Sequence, residues 1–549
     1  MTAPPSSPAP QCPVPASDGI DGAAVPHVVV VGFGPVAARL LDELHDAVAD
    51  GALRLTILGA EPQPAYQRIR LGDVSVGRTA PEDLALADDA ELVGLDVDVR
   101  CGVTATAVHA ATRVLTLSDG SALHYDRLVL ATGAEAIMPH MQVERRRNGA
   151  IDAELSMRAR RAAEAGGDPG DRFPDGVMAL RTMEDATTLR AAVAAGEPVV
   201  VLGGGVLGVE AALAVAEVGS PVTLVHRGTA PMGRQVDADS GQLLRRELVA
   251  AGVDVRSSTD IHTVVSDDGR LAAVRTSRDE KLPARLLVAC CGVRPRHELA
   301  FDAGLPTKWG VHVDRDCRSL GDEHVFAIGD CASHEGRDPS GLIGPGWEQA
   351  ELAAGALRRD LGMAADVERD AAGRPVDLTR PDDVEEAKGA VDDPRLEVIL
   401  MKSKTLSVAC AGTTQVDPWA PEAPTVSTWS DPQAGQYLRI VTEGERLLGF
   451  VSVGMARAAA ELAMHATRGT LPVADRTALV AAQHATAEQD LGDDDVLCRC
   501  SGATAGMVSE AAETCSTVDE VGAACRAGTG CGTCRSSIEK VLAAAPTAA

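Results

Sequence analysis

Two glycine-rich motifs, about 170 residues apart, constrain the fold of this chain more than any other feature. Each motif follows an apolar run and precedes a helix-forming stretch, as in a βαβ unit that binds a dinucleotide. The first glycine makes a tight turn, the second lets the backbone approach a pyrophosphate, and the third small residue lets helix and strand pack closely. The motifs are Gly32, Gly34 and Ala37 after Val28–Val31, and Gly203, Gly205 and Gly208 after Val199–Leu202. The sequence therefore predicts an α/β fold with two Rossmann-like dinucleotide-binding domains.

An acidic residue supports the first motif. Glu61 follows the second predicted strand, Leu53–Leu58, where a carboxylate can bind ribose hydroxyls. A lone motif of this type also occurs as an ordinary turn between a strand and a helix. The apolar strand before the turn and the acid after it favour dinucleotide binding.

The second motif leaves the choice of nicotinamide cofactor open. Glu210 lies in a predicted helix rich in small residues, and the next strand, Val222–Val225, ends at His226 and Arg227. An acid at that strand end would favour NAD, whereas an arginine can accept the 2′-phosphate of NADP. Arg227 can equally be a charge in contact with solvent, so NADH and NADPH both remain candidates.

Six of the thirteen cysteines lie between residues 498 and 534. Four of them form a Cys-x-Cys pair and a Cys-x-x-Cys pair, which can present thiolates to a [2Fe–2S] cluster or to a tetrahedral zinc ion. Cys515 and Cys525 are interpreted as buried thiols on two intervening helices. The predicted metal ligands are Cys498, Cys500, Cys531 and Cys534.

The negative net charge of the chain argues against partners that are themselves polyanions. A formal net charge of −28 over 549 residues opposes binding to nucleic acid or to an anionic membrane surface. No uncharged apolar segment is long enough to span a bilayer, and the N-terminal segment lacks the pattern of a signal peptide. We therefore expect a cytoplasmic protein with no nucleic-acid partner and no membrane partner.

Residues 26 to 470 resemble the two-dinucleotide flavoprotein family, which includes pyridine nucleotide–disulfide oxidoreductases and ferredoxin reductases. The resemblance also rests on three further motifs, which are Ala131-Thr132-Gly133, the segment Cys290–Pro295 that contains Gly292, and Ala327–Asp330 that contains Gly329. The resemblance implies a bound FAD. It implies that Asp330 binds the ribityl chain, that Arg68 contacts the flavin, and that Trp347 and Glu348 lie beside the isoalloxazine ring.

The C-terminal module resembles the small helical [2Fe–2S] domain of bacterioferritin-associated ferredoxin. A flavin donor in the same chain favours an iron–sulfur cluster, because zinc cannot carry electrons. The redox-active cysteine pair of disulfide reductases is missing between Cys12 and Cys101. We therefore assign no catalytic side chain and expect electrons to leave through the C-terminal cluster.

These features predict a series of domains along the chain. The predicted segments are a disordered tail (1–25), the first part of an FAD-binding domain (26–142), a surface insertion (143–175), an NAD(P)-binding domain (176–295), the second part of the FAD-binding domain (296–362), a linker (363–394), a small α+β domain (395–470), a second linker (471–495) and a helical [2Fe–2S] domain (496–545).

This domain order resembles the electron-input half of bacterial NAD(P)H-dependent nitrite and assimilatory nitrate reductases. No sirohaem domain follows before Ala549, so we expect a separate electron-transfer subunit of assimilatory nitrate reductase. It would pass electrons from NAD(P)H to FAD, to the cluster, and to a molybdopterin-containing catalytic subunit. A reductase for nitrite reductase or for a rubredoxin- or ferredoxin-like carrier remains open. A redox or iron sensor with incidental NAD(P)H oxidation is the alternative of another class.

Overall fold

The computed structural model describes residues 25–87, 92, 94–95, 97–147, 150–151, 173–363, 396–401, 403, 406–471, 479–480, 492–498, 501–529 and 534–544. Almost all of the predicted tail and most of both predicted linkers therefore lie outside the described residues. No helix within the described ranges is long and apolar enough to cross a lipid bilayer.

The first glycine motif lies between a buried strand and a long helix, as predicted. Gly34 is the N-cap of that helix and Pro35 its first residue, where the fixed φ of proline suits the helix start and its missing N–H costs nothing. The elements up to residue 136 are β1 (His27–Val31), α1 (Pro35–Ala49), β2 (Arg54–Gly59), α2 (Leu71–Ser75), β3 (Asp98–Cys101), β4 (Ala105–His109), β5 (Val114–Leu117), β6 (Ala122–His124), β7 (Arg127–Leu130) and β8 (Ala134–Ala136).

The second glycine motif likewise lies between a strand and a helix. The strand before it is buried throughout, and seven of the twelve residues of the following helix are buried. The elements from residue 142 to residue 295 are β9 (Gln142–Arg147), β10 (Ala150–Ile151), β11 (Val177–Ala179), α3 (Met183–Ala194), β12 (Val199–Leu202), α4 (Val206–Glu217), β13 (Val222–Val225), α5 (Ala238–Ala250), β14 (Asp254–Arg256), β15 (Ile261–Asp267), β16 (Arg270–Thr276), β17 (Lys281–Pro283), β18 (Leu286–Ala289) and β19 (Val293–Pro295).

The chain then returns to the first domain and completes its sheet. The elements of this return are α6 (Glu298–Asp302), β20 (Thr307–Lys308), β21 (Gly310–Val313), β22 (Val325–Ala327), β23 (Ala332–His334) and α7 (Ile343–Asp360). The first sheet has the order β22-β7-β1-β2-β3 and the second the order β11-β18-β12-β13-β14. Both are parallel, so the carboxyl ends of neighbouring strands, where such folds bind their ligands, meet at one edge of each sheet.

The predicted surface insertion at residues 143–175 needs correction at its start. Strand β9 pairs in parallel with β15, from Thr263 opposite Gln142 to Asp267 opposite Arg146. Its arginines suggested a surface segment, but Arg146 pairs with Glu144 at 2.6 Å while Val143 packs against the apolar core. The charged side chains of β9 thus concealed that this segment is a strand of a sheet. Residues 148–149 and 152–172 lie outside the described residues.

The small domain contains five strands within the described residues, in agreement with the predicted α+β character. They form an antiparallel sheet in the order β24-β25-β28-β27-β26. One face packs against a helix, and the other shares a core with the second glycine-motif domain, in which Tyr437 and Val408 pack with Leu244. The elements are β24 (Val398–Met401), β25 (Val408–Gly412), β26 (Thr425–Asp431), β27 (Gln436–Glu443), β28 (Arg446–Val453) and α8 (Ala456–Arg468).

The C-terminal module is a small helical domain with its own apolar core. Val508, Val521 and Ile538 are each fully buried in this core. The elements are β29 (Val496–Cys498), β30 (Ala503–Thr504), α9 (Ala505–Ala512), α10 (Val518–Cys525) and α11 (Arg535–Ala544). A capping box begins α10, because Thr517 and Glu520 each bind the backbone of the other.

Candidate functional site

One large cavity lies where the two glycine-motif domains and the small domain meet. Its volume is about 1240 Å³. The predicted site residues that line it are Gly32, Gly34, Ala37, Glu61, Arg68, Ala131, Thr132, Gly133, Glu210, Gly329, Asp330, Trp347 and Glu348. The described site residues that do not line it are Gly203, Gly205, Gly208, His226, Arg227, Gly292, Cys498 and Cys534.

In the first glycine turn, Gly32 and Gly34 have opposite steric surroundings. Gly32 has a φ of +110°, and a Cβ there would lie 2.1 Å from the carbonyl oxygen of Ala131, so only glycine fits. Nothing lies within 4 Å of the Cβ position at Gly34. The turn therefore leaves open space before the first N–H groups of α1, as an anionic pyrophosphate requires.

Glu61 is held in place by three donors. Its carboxylate accepts hydrogen bonds from Tyr66 at 2.7 Å, from Gln63 at 3.3 Å and from Arg68 at 2.5 Å. Burial raises the pKa of the Tyr66 hydroxyl, so this residue acts as a neutral donor. The structure thus places the predicted ribose ligand and the predicted flavin contact side by side on one wall of the cavity.

Arg181 is a cavity residue that sequence reasoning missed. Its guanidinium donates to the Asp330 carboxylate at 3.1 Å, and its backbone carbonyl accepts a hydrogen bond from Arg68. Burial lowers the pKa of Arg181, and the charge of Asp330 opposes this shift. The signal that could have located it is the capping box of Thr182 and Asp185, which marks the start of α3 and hence the end of the preceding strand.

Two family motifs meet at the carboxyl ends of neighbouring strands. Thr132, after β7, donates to the carbonyl of Arg296 at 2.6 Å. Gly329, after β22, donates its N–H to the side-chain oxygen of Gln349 at 2.7 Å. Both Gly133 and Gly329 have positive φ values, of +67° and +74°. Both turns lie on the cavity wall, and Asp330 follows Gly329 on that wall.

The small domain forms part of the cavity wall, which the sequence did not predict. Leu396–Leu400 and two residues of α8, Ala463 and Thr467, line it opposite the first turns of α7. Trp347 and Glu348 lie in those turns. Sequence patterns identify separate domains but carry no signal for which of their faces meet.

The second glycine turn has the same steric arrangement as the first, with closely packed glycines and an open N-cap. A Cβ at Gly203 would lie 2.2 Å from the carbonyl oxygen of Cys290, and one at Gly208 would lie 1.9 Å from that of Gly203. Gly205, the N-cap of α4, has nothing within 4 Å of its Cβ position. Glu210, one turn further along α4, lines the large cavity. The space before α4 thus suits a second pyrophosphate.

His226 and Arg227 have different environments at the end of β13. His226 is only 3% exposed, and its Nε2 lies 3.0 Å from the Ser257 hydroxyl. Burial and the nearby charge of Arg245 lower the pKa of His226, so it is neutral at physiological pH. Arg227 is exposed. Of the two predicted residues, Arg227 is the one that a ligand can reach from solvent.

Gly292 belongs to a turn that connects the two glycine-motif domains. It has a φ of +95°, and its carbonyl accepts the N–H of Ile137 at 3.0 Å. The turn leads into β19, which pairs with β8 of the first domain. Gly292 therefore shapes the junction between the domains and does not line the cavity.

Two of the four predicted metal ligands can be placed. Cys498 and Cys534 are both buried in the C-terminal domain, and a hydrogen bond between their side chains is the main cause that lowers the pKa of Cys498 to about 5. A thiolate at this position is the form that binds iron. Cys500 and Cys531 lie outside the described residues, and the described residues alone contain no group of three or more metal-ligating side chains.

Comparison with known families supports both halves of this arrangement. Residues 26–358 match the pyridine nucleotide-disulphide oxidoreductase family, and residues 496–544 match the BFD-like [2Fe-2S] binding domain. The first match covers more than half of the chain.

Among curated relatives, the chain is 27% identical to nitrite reductase [NAD(P)H] of Bacillus subtilis, over 94% of this chain and 57% of the relative. It is 25% identical to the assimilatory nitrate reductase electron transfer subunit of the same organism, over 94% of this chain and 59% of the relative. The chain thus spans little more than half the length of either relative. In the solved complex of putidaredoxin reductase and putidaredoxin, one chain matches 84% of this chain and 99% of its own length, with 21% identity and a TM-score of 0.64, which supports the fold.

The site geometry agrees with the cofactors of this family, FAD and NAD(P)H, together with a [2Fe–2S] cluster. The N-caps at Gly34 and Gly205 are both open, as the binding of two dinucleotide pyrophosphates would require. The buried thiols of Cys498 and Cys534 fit a thiolate-bound cluster.

Proposed function

Because the chain belongs to the pyridine nucleotide-disulphide oxidoreductase family, we propose that it passes electrons from NAD(P)H through FAD and a [2Fe–2S] cluster to a separate catalytic subunit. In this proposal the acceptor is the molybdopterin-containing subunit of an assimilatory nitrate reductase, and the protein works in the cytoplasm. The observation that carries the proposal is the presence of two dinucleotide cradles and a [2Fe-2S] binding domain in one chain.

The chain's own residues bind and orient the reactants. The turns at Gly34 and Gly205 bind the two pyrophosphates, and Glu61 accepts hydrogen bonds from ribose. Arg181 and Asp330 bind the polar part of the flavin beside Arg68. When bound, FAD takes two electrons from a nicotinamide and releases them singly, which a one-electron cluster requires.

The absence of an assigned catalytic side chain suits this chemistry. Hydride transfer between two stacked rings needs a fixed orientation and a dry cavity more than it needs an acid or a base. In the wall formed by residues 396–400, four apolar side chains supply apolar surface, and Glu397 among them adds a carboxyl group. The small domain would thus exclude water and oxygen from the reacting rings.

A reductase unit for nitrite reduction is the second candidate. It is favoured by the similarity to nitrite reductase [NAD(P)H] over 94% of this chain. The internal route is the same in both cases, and only the acceptor differs. Reconstitution of the purified protein with a nitrate-reducing or a nitrite-reducing catalytic subunit, with NAD(P)H as the only donor, distinguishes the two candidates.

The internal route is tested by anaerobic titration of the purified holoprotein with NADH and, separately, with NADPH. Visible absorbance follows the flavin, low-temperature EPR follows the cluster, and metal analysis measures iron and zinc. We expect the flavin to bleach and a reduced [2Fe–2S] signal to appear. Bleaching without a cluster signal, in protein that contains zinc and no iron, would contradict the proposal.

A further inference from the structure

An ion pair connects the cluster domain to the first glycine-motif domain. The guanidinium of Arg526, directly after α10, contacts the carboxylate of Asp42 on α1. Burial and the nearby charge of Arg39 lower the pKa of Arg526. The apolar core of the cluster domain contains only residues of that domain. The described contact between the two domains is therefore polar.

Arg526 keeps an unusual backbone conformation. Its φ is +61°, in the left-handed region, at a helix end where glycine is the common residue because it carries no Cβ. An arginine at this position is less favourable than glycine, because its Cβ crowds the backbone in the left-handed conformation. A glycine at this position could not form the ion pair with Asp42.

The docking face lies beside the helix pair that leads to the flavin end of the cavity. A Cβ at Gly346 would lie 2.7 Å from a methyl of Val36, so α1 and α7 are in close contact near their amino ends. Further along, Arg39 pairs with Glu351 at 2.6 Å. Asp42 is seven residues beyond the first residue of α1, which is about 10 Å along the helix axis.

Arg526 also lies close in sequence to the cluster ligands. It precedes Cys531 by five residues and Cys534 by eight. A contact at Arg526 therefore brings this end of the cluster domain toward α1. Trp347, which the family resemblance places beside the flavin ring, is one helical turn from Glu351 on the adjoining helix.

We propose that the face of α1 around Asp42 is the docking site of the cluster domain, and that Arg526 is the positioning residue that holds the cluster within reach of the flavin. This inference rests on the proposed function. Oxidation of one NAD(P)H would yield NAD(P)⁺, one proton released to solvent and two electrons. A cluster bound in this domain would accept these electrons one at a time and pass each to the acceptor before taking the next.

The docking is reversible because one partly exposed ion pair contributes little binding free energy. The side chains of Arg526 and Asp42 are 42% and 37% exposed, so salt screens their attraction. The cluster domain can therefore leave α1 and present the cluster to the catalytic subunit. High ionic strength is expected to favour the undocked arrangement.

The test compares charge reversals in the full-length holoprotein. The variants are Asp42→Arg, Arg526→Asp and the double variant, which restores an opposite-charge pair. Asp46→Arg is the matched control, because Asp46 lies one turn from Asp42 on α1 and outside the pair. Aspartate is also among the residues that tolerate a left-handed backbone, so Arg526→Asp keeps the turn.

Two measurements follow the docking of the cluster domain and the rate of electron transfer to the cluster separately. Small-angle X-ray scattering measures the radius of gyration, and rapid-freeze EPR measures the rate of cluster reduction by NAD(P)H. We expect each single reversal to enlarge the radius of gyration and to slow cluster reduction about fivefold. The double variant should recover both quantities, and Asp46→Arg should change neither. NAD(P)H–dye reduction should be unchanged in all of them.

Unchanged radius and unchanged cluster reduction in both single variants would overturn the docking proposal while leaving the electron route intact. Slower reduction that the double variant does not recover would also overturn it, because the effect would not come from the pair. A wild-type protein whose bound flavin bleaches but never reduces its cluster would instead contradict the proposed function.

Discussion

The guanidinium of Arg181 lies 3.1 Å from the carboxylate of Asp330, and this pair connects two parts of the chain that are about 150 residues apart. Arg181 begins the second glycine-motif domain, whereas Asp330 ends a motif of the first. Since the Arg181 carbonyl also accepts a hydrogen bond from Arg68, three segments converge on one wall of the cavity. The proposed flavin site is therefore completed by a residue of the domain that is proposed to bind NAD(P)H.

Replacement of Arg181 should weaken FAD binding. In Arg181→Gln the Asp330 carboxylate loses its cationic partner in a partly buried site, and we expect the Kd for FAD to rise at least about tenfold. The midpoint potential of bound FAD should also fall, because a nearby positive charge favours the reduced, more negative flavin. FAD titration of the apoprotein and redox titration with dyes measure these two effects.

Arg246→Gln is the control for this variant. Arg246 lies on the same domain, but it is exposed and pairs only with its neighbour Glu247 among the described residues. It should change neither the Kd nor the potential. Equal effects in both variants would mean that general charge, and not the contact with Asp330, sets FAD binding.

The two glycines of the first turn should respond differently to alanine. In Gly32→Ala the new methyl group would overlap the backbone of Ala131, and we expect the free energy of unfolding to fall by about 2 kcal/mol or more. In Gly34→Ala the methyl group meets no protein atom within 4 Å, so the apoprotein should keep its stability to within about 0.5 kcal/mol.

FAD binding should nevertheless be lost in Gly34→Ala, because the methyl group occupies the space that the pyrophosphate needs. Denaturant unfolding of the apoproteins and FAD titration measure the two quantities separately. Gly205→Ala is the matched variant in the second turn, where the Cβ position is also open. It should retain FAD and show a higher KM for NAD(P)H. Normal FAD binding by Gly34→Ala would contradict this placement of the pyrophosphate.

The glycine turns were predictable from the sequence because local geometry determines them. A strand, a turn with positive φ and a closely packed helix require glycine at defined spacings, and Gly32 and Gly203 show this requirement directly. The capping box at Thr517 and Glu520 was predictable for the same reason. Each depends on residues that are only a few positions apart.

Features that depend on distant contacts were not predictable. The role of Arg181 arises because Asp330 lies beside it, and no spacing rule connects the two residues. Strand β9 was missed because its arginines concealed the apolar contact of Val143. The cavity wall of the small domain requires knowledge of how two domains meet. Such contacts appear only once the tertiary structure is in hand.

Arg227 should discriminate between the nicotinamide cofactors. It is exposed at the end of β13, where the 2′-phosphate of NADPH would lie. In Arg227→Ala we expect the KM for NADPH to rise about tenfold and the KM for NADH to change less than about twofold. Steady-state dye reduction with each donor measures both values. If neither KM changes, Arg227 is a charge in contact with solvent alone.

His226 should make the stability of the protein depend on pH. Burial lowers its pKa, so the unfolded chain binds a proton near pH 6.5 that the folded chain does not. The free energy of unfolding should therefore fall as the pH drops through 6.5, by up to about 1.4 kcal/mol per pH unit, until the folded-state pKa is reached. Urea unfolding between pH 8 and pH 5.5 should show a shallower slope for His226→Gln. The exposed His109→Gln variant should keep the wild-type slope.

Cysteine replacement separates the two redox centres. Cys534→Ser and Cys531→Ser should lose the cluster, because serine is a poor ligand for iron compared with a thiolate. Both variants should keep FAD and NAD(P)H–dye reduction but lose electron transfer to the catalytic subunit. Iron analysis, EPR and dye assays measure these effects. Cys515→Ser is the control, since Cys515 packs against the core of the same domain and lies outside the predicted ligand set. Loss of iron in Cys515→Ser with iron retained in Cys534→Ser would show that the ligand set has been assigned wrongly.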